Sequence, residues 1–262
     1  MHAKLRDVTI KYDIEGPADA PVIACSHCLA GSSDIWETQA IALREKFRVL
    51  RYDTRGHGNS SAPEGPYSME MLASDTAALF EAVGIEKAHF MGISMGGMIA
   101  QVLALKYPER VSSLILCDTA CSIPKAAGPI WEERMAEAED KGMAAIVDGT
   151  LERWLSQDFR IHSPATTERI REIILNTPVS GFIGCCHAIK NFDVADSLAE
   201  LTVPALIMVG ENDPGTPVDS ALQIQENLRG SELAVLPHAC HLSNIEAADA
   251  FNKRLLYFLA RH

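Results

Sequence analysis

Short apolar runs alternate with helical patterns along most of the 262-residue chain. Val22–Ser26, Arg48–Tyr52, Ala88–Ile93, Leu114–Cys117 and Ala205–Val209 are brief, rich in β-branched and other apolar residues, and bounded by polar or turn residues. That pattern predicts strands buried on both faces. Leu5–Tyr12 predicts a further strand, followed by a Gly16-Pro17 turn. Leu72, Thr76, Leu79, Phe80 and Val83 recur at steps of three and four, and so mark one face of a helix. Ile245, Ala248, Phe251, Leu255 and Phe258 do the same and predict a terminal amphipathic helix from Ser243 onward. Alternation of this kind predicts an α/β protein, with a mainly parallel central sheet covered by helices on both faces.

The alternation stops after Asp118. From about Cys121 to Lys190 the periodicity is helical only, over Trp131–Lys141, Met143–Leu155, Ala165–Leu175 and Phe182–Lys190, and strands resume at Val203. The expected organisation is a core of residues 1–120 and 191–262 with an all-helical cap inserted at 121–190. Ala88–Leu105 has no charged residue and is long enough to span a bilayer, with Gly92 and Gly96 at the spacing of membrane helix pairs. His89, Ser94, Gln101 and the clustered glycines favour a buried strand, a tight turn and a buried helix instead.

That turn carries the chemistry. Gly92-Ile93-Ser94-Met95-Gly96 is a G-x-S-x-G between a predicted strand and a predicted helix. Flanking glycines permit a strained turn that presents a serine hydroxyl above the sheet, and the helix N-terminus behind it favours developing negative charge. A serine needs a base, and the base needs an orienting acid; in this architecture they follow in the order acid, then histidine. His162 and His187 fall in the helical insertion and His262 is terminal, which leaves His238 and His241. His241 precedes the last helix and is the expected base; His238 reads as a solvated loop residue. Asp213, just past the Ala205–Val209 strand, is the expected acid, with Asp118 and Glu211 as rivals. The backbone N–H groups of Met95 and Leu29 are the expected oxyanion hole, Leu29 lying in the loop after Val22–Ser26. His27 and Cys28 form a competing Cys–His pair, which Ser94 makes the weaker reading.

Composition narrows the partners. With 23 basic and 35 acidic residues the net charge is −12, which argues against nucleic acid and anionic membranes. The first ten residues hold charges throughout and no apolar leader core, so the expected compartment is the cytoplasm. Seven cysteines form no metal-site pattern beyond a single C-x-x-C at Cys25 and Cys28, and read as small buried thiols. The expected partner is a small molecule, and no metal or organic cofactor is implied.

Several segments make a resemblance specific: FRVLRYDTRGHGNS at 47–60, Gly65-Pro66-Tyr67, AHFMGISMGGM at 88–98, YPERV at 107–111, LERWL at 151–155 and HLSNIE at 241–246. Through them the chain resembles the α/β-hydrolase superfamily over essentially its full length, and within it the 3-oxoadipate enol-lactonases of the β-ketoadipate pathway. The resemblance implies acyl-enzyme chemistry on a lactone that carries a carboxylate. Because the chain is acidic overall, that carboxylate needs a local cation. Arg134 is the expected one, with Arg153 as the alternative and Trp131 and Trp154 as aromatics of the cap. The Asp-Thr-Arg-Gly-His-Gly run is expected to structure a loop, so that His57 is not catalytic. Cys28-Leu29-Ala30 stands where the family commonly has Ser-Leu-Gly, Asp118 where it more often has Asn, and Cys240 where a small or hydroxyl residue is usual. Competing readings are a general carboxylesterase or cofactor-free perhydrolase with the same residues, and a non-enzymatic small-molecule receptor.

Overall fold

The computed structural model describes residues 1–262. Its eight strands are β1 (His2–Lys4), β2 (Thr9–Glu15), β3 (Val22–Ser26), β4 (Arg48–Tyr52), β5 (Ala88–Ile93), β6 (Val111–Cys117), β7 (Ala205–Gly210) and β8 (Glu232–Leu236). They form one sheet in the order β1-β2-β4-β3-β5-β6-β7-β8. β1 and β2, and β2 and β4, are antiparallel; every later pair is parallel. Every residue of β5 and of β7 is buried, which is why their runs lack polar alternation.

The helices of the sheet layers are α1 (Glu37–Leu43), α2 (Met69–Ala82), α3 (Met95–Lys106), α9 (Val218–Asn227), α10 (Ser243–Glu246) and α11 (Ala248–Leu259). Ser68 caps α2, its hydroxyl accepting the Met71 N–H at 3.2 Å. In α3 every residue from Met95 to Ala104 is buried, so this is a core helix with no polar face. Between β6 and β7 come α4 (Gly128–Lys141), α5 (Met143–Trp154), α6 (Gln157–His162), α7 (Pro164–Leu175) and α8 (Val179–Lys190), with no intervening strand. No helix is long and apolar enough to cross a membrane.

Two expectations are corrected, and two elements, β8 and α6, had no predicted counterpart. The single strand expected at Leu5–Tyr12 is two, because the chain reverses at Leu5–Val8, where Leu5 N–H donates to Val8 O at 2.8 Å, and β1 folds back on β2. The polar Arg6-Asp7 pair sits at that reversal, and Asp7 pairs with Arg55. β8 escaped notice because it is a short edge strand with Val235 exposed, so its apolar signal is broken. The terminal helix is broken at Ala247 (φ −115°, ψ 40°) into α10 and α11.

The approach of α3 to the sheet sets the tightest tolerance. A Cβ on Gly96 would lie 2.2 Å from the Ser26 carbonyl oxygen of β3, and one on Gly92 would lie 2.1 Å from the Gly96 oxygen. Both obstacles are backbone and cannot swing away. Gly96→Ala is therefore expected to destabilise the protein by about 1–3 kcal/mol in urea unfolding and to displace the turn at Ser94. A variant with unchanged midpoint and slope would contradict this packing.

Candidate active site

The turn between β5 and α3 holds Ser94 at φ 55°, ψ −119°, a region L-residues rarely occupy. The neighbouring strand end restrains it from both sides. Ser94 N–H donates to Cys117 O at 2.9 Å, and the Thr119 hydroxyl donates to Ser94 O at 2.7 Å. The Gly97 N–H donates to the same carbonyl at 2.9 Å, while the side chain opens into a cavity. Met95 is the first residue of α3, so its N–H has no acceptor within the helix.

His241 reaches the same cavity from the loop between β8 and α10. Its Nδ1 donates to Asp213 Oδ2 at 2.8 Å, and both side chains are buried. Asp213 follows β7 in a turn that closes on its own carboxylate. Oδ1 accepts the N–H groups of Gly215 (2.8 Å) and Thr216 (3.2 Å), and Oδ2 also accepts the Thr216 hydroxyl at 2.7 Å. Burial alone would lower the His241 pKa, but the Asp213 charge and hydrogen bond outweigh it and raise it above the ordinary 6.5. Burial likewise pushes Asp213 up, and the His241 charge with the hydrogen bonds just named brings it below its ordinary value. The Trp154 ring stacks on the imidazole at 6.5 Å between centroids. With Nδ1 committed, Nε2 is the nitrogen left for the cavity. No hydrogen bond joins it to Ser94 in this arrangement; such contacts tighten when substrate binds. Thr216 went unread in the sequence, although Asp-Pro-Gly-Thr directly past a strand is a recognisable turn signature.

The rival residues lie elsewhere. Asp118 is buried at the end of β6; Oδ1 accepts the Gly210 N–H at 2.8 Å and Oδ2 shares a 2.5 Å hydrogen bond with the Ser243 hydroxyl. Burial and the charge of Asp213 push its pKa well up. It thus ties the loop that bears Asp213 to the helix that follows His241, without touching the ring. Glu211 is exposed and accepts the His238 N–H at 3.0 Å; the His238 side chain is in solvent. His27 Nδ1 faces the carbonyl oxygen of Cys28, not its sulfur, and burial pushes the Cys28 thiol up.

The cavity measures about 150 Å³, large enough for one small ring compound. Leu29, Trp131, Arg134, Arg153 and Trp154 line it together with Ser94 and His241. The Arg134 guanidinium lies 4.9 Å from the Trp131 ring centre and 5.8 Å from that of Phe182. Burial, followed by repulsion from Arg153, brings its pKa down to about 10. Arg153 donates to the Thr150 hydroxyl at 3.2 Å, and burial lowers its pKa as well. Glu132 is taken by Lys190 at 2.5 Å, and Glu152 acts on Arg153 through its charge without forming an ion pair. Two guanidiniums therefore face one small cavity with no carboxylate at ion-pair distance from either. Such charges are costly to bury unpaired, so the cavity favours an anion.

A family model described as the alpha/beta hydrolase fold matches residues 21–248. The chain belongs to the α/β-hydrolase family. A relative from Acinetobacter baylyi, 3-oxoadipate enol-lactonase 2, is 35% identical over 94% of this chain and 91% of its own length. A protein of Agrobacterium fabrum named, provisionally, a carbamate hydrolase is 31% identical over 95% of this chain and 97% of its own. Among solved structures, the enol-lactonase from Burkholderia xenovorans superposes with a TM-score of 0.96 at 35% identity, over 99% of this hydrolase and all of that chain.

The histidine must be neutral to act as a base, and its pKa is raised. The acidic limb of kcat/KM is therefore expected above pH 6.5, activity falling as the pH drops through it. Asp213→Asn should cut kcat by roughly 10³–10⁴ and move the limb down. Asp118→Asn should stay within about tenfold, because an amide can serve both of its partners. Comparable losses in the two variants would contradict the assignment.

Proposed function

We propose that this α/β hydrolase opens a small enol-lactone bearing a carboxylate, of the kind represented by 3-oxoadipate enol-lactone, through an acyl-enzyme on Ser94. The reading rests on two guanidiniums without an ion-pair partner, Arg134 and Arg153, in a small cavity shared with Ser94 and His241. The 35% identity to an enol-lactonase supports it. A cavity of this size suits a five-membered lactone with one short acidic arm.

His241 Nε2 takes the Ser94 hydroxyl proton as Oγ attacks the lactone carbonyl carbon. The oxyanion accepts hydrogen bonds from the N–H groups of Met95 and Leu29. Collapse breaks the bond to the ring oxygen, which takes the proton from His241 and becomes an enol that tautomerises to the ketone. The leaving group stays tethered to the acyl chain, so the Arg134 contact to the carboxylate persists through ring opening. Water, deprotonated by His241, then attacks the ester carbon, and Ser94 recovers its proton. The product carries one more carboxylate than the substrate, next to a second arginine. Trp131 and Trp154 wall the cavity and keep bulk water off these charges. Seven free, buried cysteines support a reducing compartment, the cytoplasm.

Wild-type protein is expected to turn over the lactone with kcat/KM of about 10⁴ M⁻¹s⁻¹ or more, well above a neutral p-nitrophenyl ester or a simple carbamate. Arg134→Ala should raise KM for the lactone about 10–100-fold, the worth of a charged hydrogen bond, and leave the neutral ester nearly unchanged. Equal effects on both, or a better rate on the ester or carbamate, would overturn the lactone assignment.

A further inference from the structure

One of the two oxyanion donors is not on a helix. Leu29 sits in the loop after β3, is buried, lines the cavity, and its N–H makes no hydrogen bond within the protein. A buried peptide donor without a partner is rare, and one in the wall of a cavity shared with Ser94 calls for something to hold it. The peptides on either side of it are both gripped by imidazoles. His57 Nε2 accepts the Ala30 N–H at 2.9 Å. His27 Nε2 accepts the Thr54 N–H at 2.9 Å, and its Nδ1 lies 2.8 Å from the Cys28 carbonyl oxygen. Because a backbone N–H can only donate, Nε2 of each ring carries no proton. The hydrogen is therefore on Nδ1, where His27 donates to Cys28 O and His57 to Arg55 O at 3.2 Å.

The rings lie 5.2 Å apart and stitch the Leu29 loop to the loop after β4. Protonation of either would destroy its acceptor. Burial holds both pKa values down, His57 to about 3, and His27 repels a charge on His57; Asp53, Asp34 and Lys11 lie around the pair without reversing this. Ala30 takes φ 60°, where alanine needs restraint that glycine does not, and its carbonyl accepts the Thr177 hydroxyl at 3.3 Å from just ahead of α8. Helix α8 also closes on the second loop, where a Cβ on Gly56 would meet the Gly181 Cα at 2.4 Å.

We propose that His27 and His57 are positioning residues for hydrolysis, neutral clamps that fix the peptides flanking Leu29 and so keep its N–H pointed at the developing oxyanion. This rests on the Ser94 mechanism proposed above.

The test compares His57→Leu, which lacks the acceptor, with His57→Gln, whose amide oxygen can still take the Ala30 N–H. Neutral p-nitrophenyl acetate serves as substrate, so the outcome does not depend on the carboxylate site. Leu should lower kcat about 10²-fold, near the loss on removing an oxyanion donor, with KM within threefold. Affinity for phenylboronic acid, which becomes tetrahedral on the serine, should fall in parallel, and Gln should recover most of both. Unchanged kcat and boronate affinity in a folded Leu variant would overturn the proposal, as would an effect confined to KM. Nitrogen-15 NMR of the wild type adds a reading that needs no variant to fold. Both rings should be Nδ1–H tautomers, His57 showing no titration between pH 5 and 8 and His27 titrating below the ordinary 6.5; an Nε2–H tautomer or ordinary titration at either overturns the clamp. If wild-type protein forms no boronate adduct on Ser94, the hydrolytic reading itself fails and takes this one with it.

Discussion

The contact of α3 with the sheet, backbone on backbone at Gly92, Gly96 and Ser26, is the constraint on which the site depends. It brings the first turn of the helix close enough to β3 and β5 that the connecting residue has to adopt a left-handed conformation. Ser94 occupies that position, and the strain is held by hydrogen bonds from the next strand end, through Cys117 and Thr119. Once the serine is fixed there, the other parts must come to it. The loop after β3 brings Leu29, the loop after β7 brings Asp213, and the loop after β8 brings His241. All three lie beyond the carboxyl ends of parallel strands, where open α/β sheets collect their ligands.

Electrostatics then divides the site into two ends. At the serine end, Asp213 is held ionised by hydrogen bonds and holds His241 in one tautomer. Asp118 is pushed toward its neutral form by burial and then by the charge of Asp213, and serves as a tie between loops. At the cap end the sign reverses. Arg134 and Arg153 lack counter-ions while the chain as a whole carries a charge of −12. Long-range attraction of an anion to this surface is screened and of the wrong sign, so in the proposed function selection of an acidic substrate falls to these two side chains at contact distance.

Much of the architecture was legible because it is written in local periodicity. The buried parallel strands β3 to β7 and four of the five helices between β6 and β7 follow directly from apolar spacing, whereas the six-residue α6 buries no residue and carries no such signal. β8 was missed because an edge strand buries only alternate residues, and the reversal inside Leu5–Tyr12 because a turn at Arg6-Asp7 lacks glycine or proline. Ser94, Asp213 and His241 could be singled out since each sits on a loop beside a readable element. The bonds of Asp118 could not, since its partners Gly210 and Ser243 are 92 and 125 residues away. The solitude of the arginines was equally hidden. Arg134 follows two glutamates in sequence, and only the fold shows that the helix turns them elsewhere. His27 and His57, read as a weak nucleophile partner and a loop residue, gain meaning only when their rings are seen to grip the peptides around Leu29.

In the proposed mechanism Ser94 forms the acyl-enzyme and His241 activates it. Rapid quenching of a single turnover of the lactone, followed by peptide mass mapping, would reveal that intermediate. One acyl adduct is expected, on the peptide containing Ser94, forming and decaying at rates consistent with kcat. Ser94→Ala should form no adduct and lose turnover. An adduct on another residue, or a Ser94→Ala protein with near-normal activity, would contradict it.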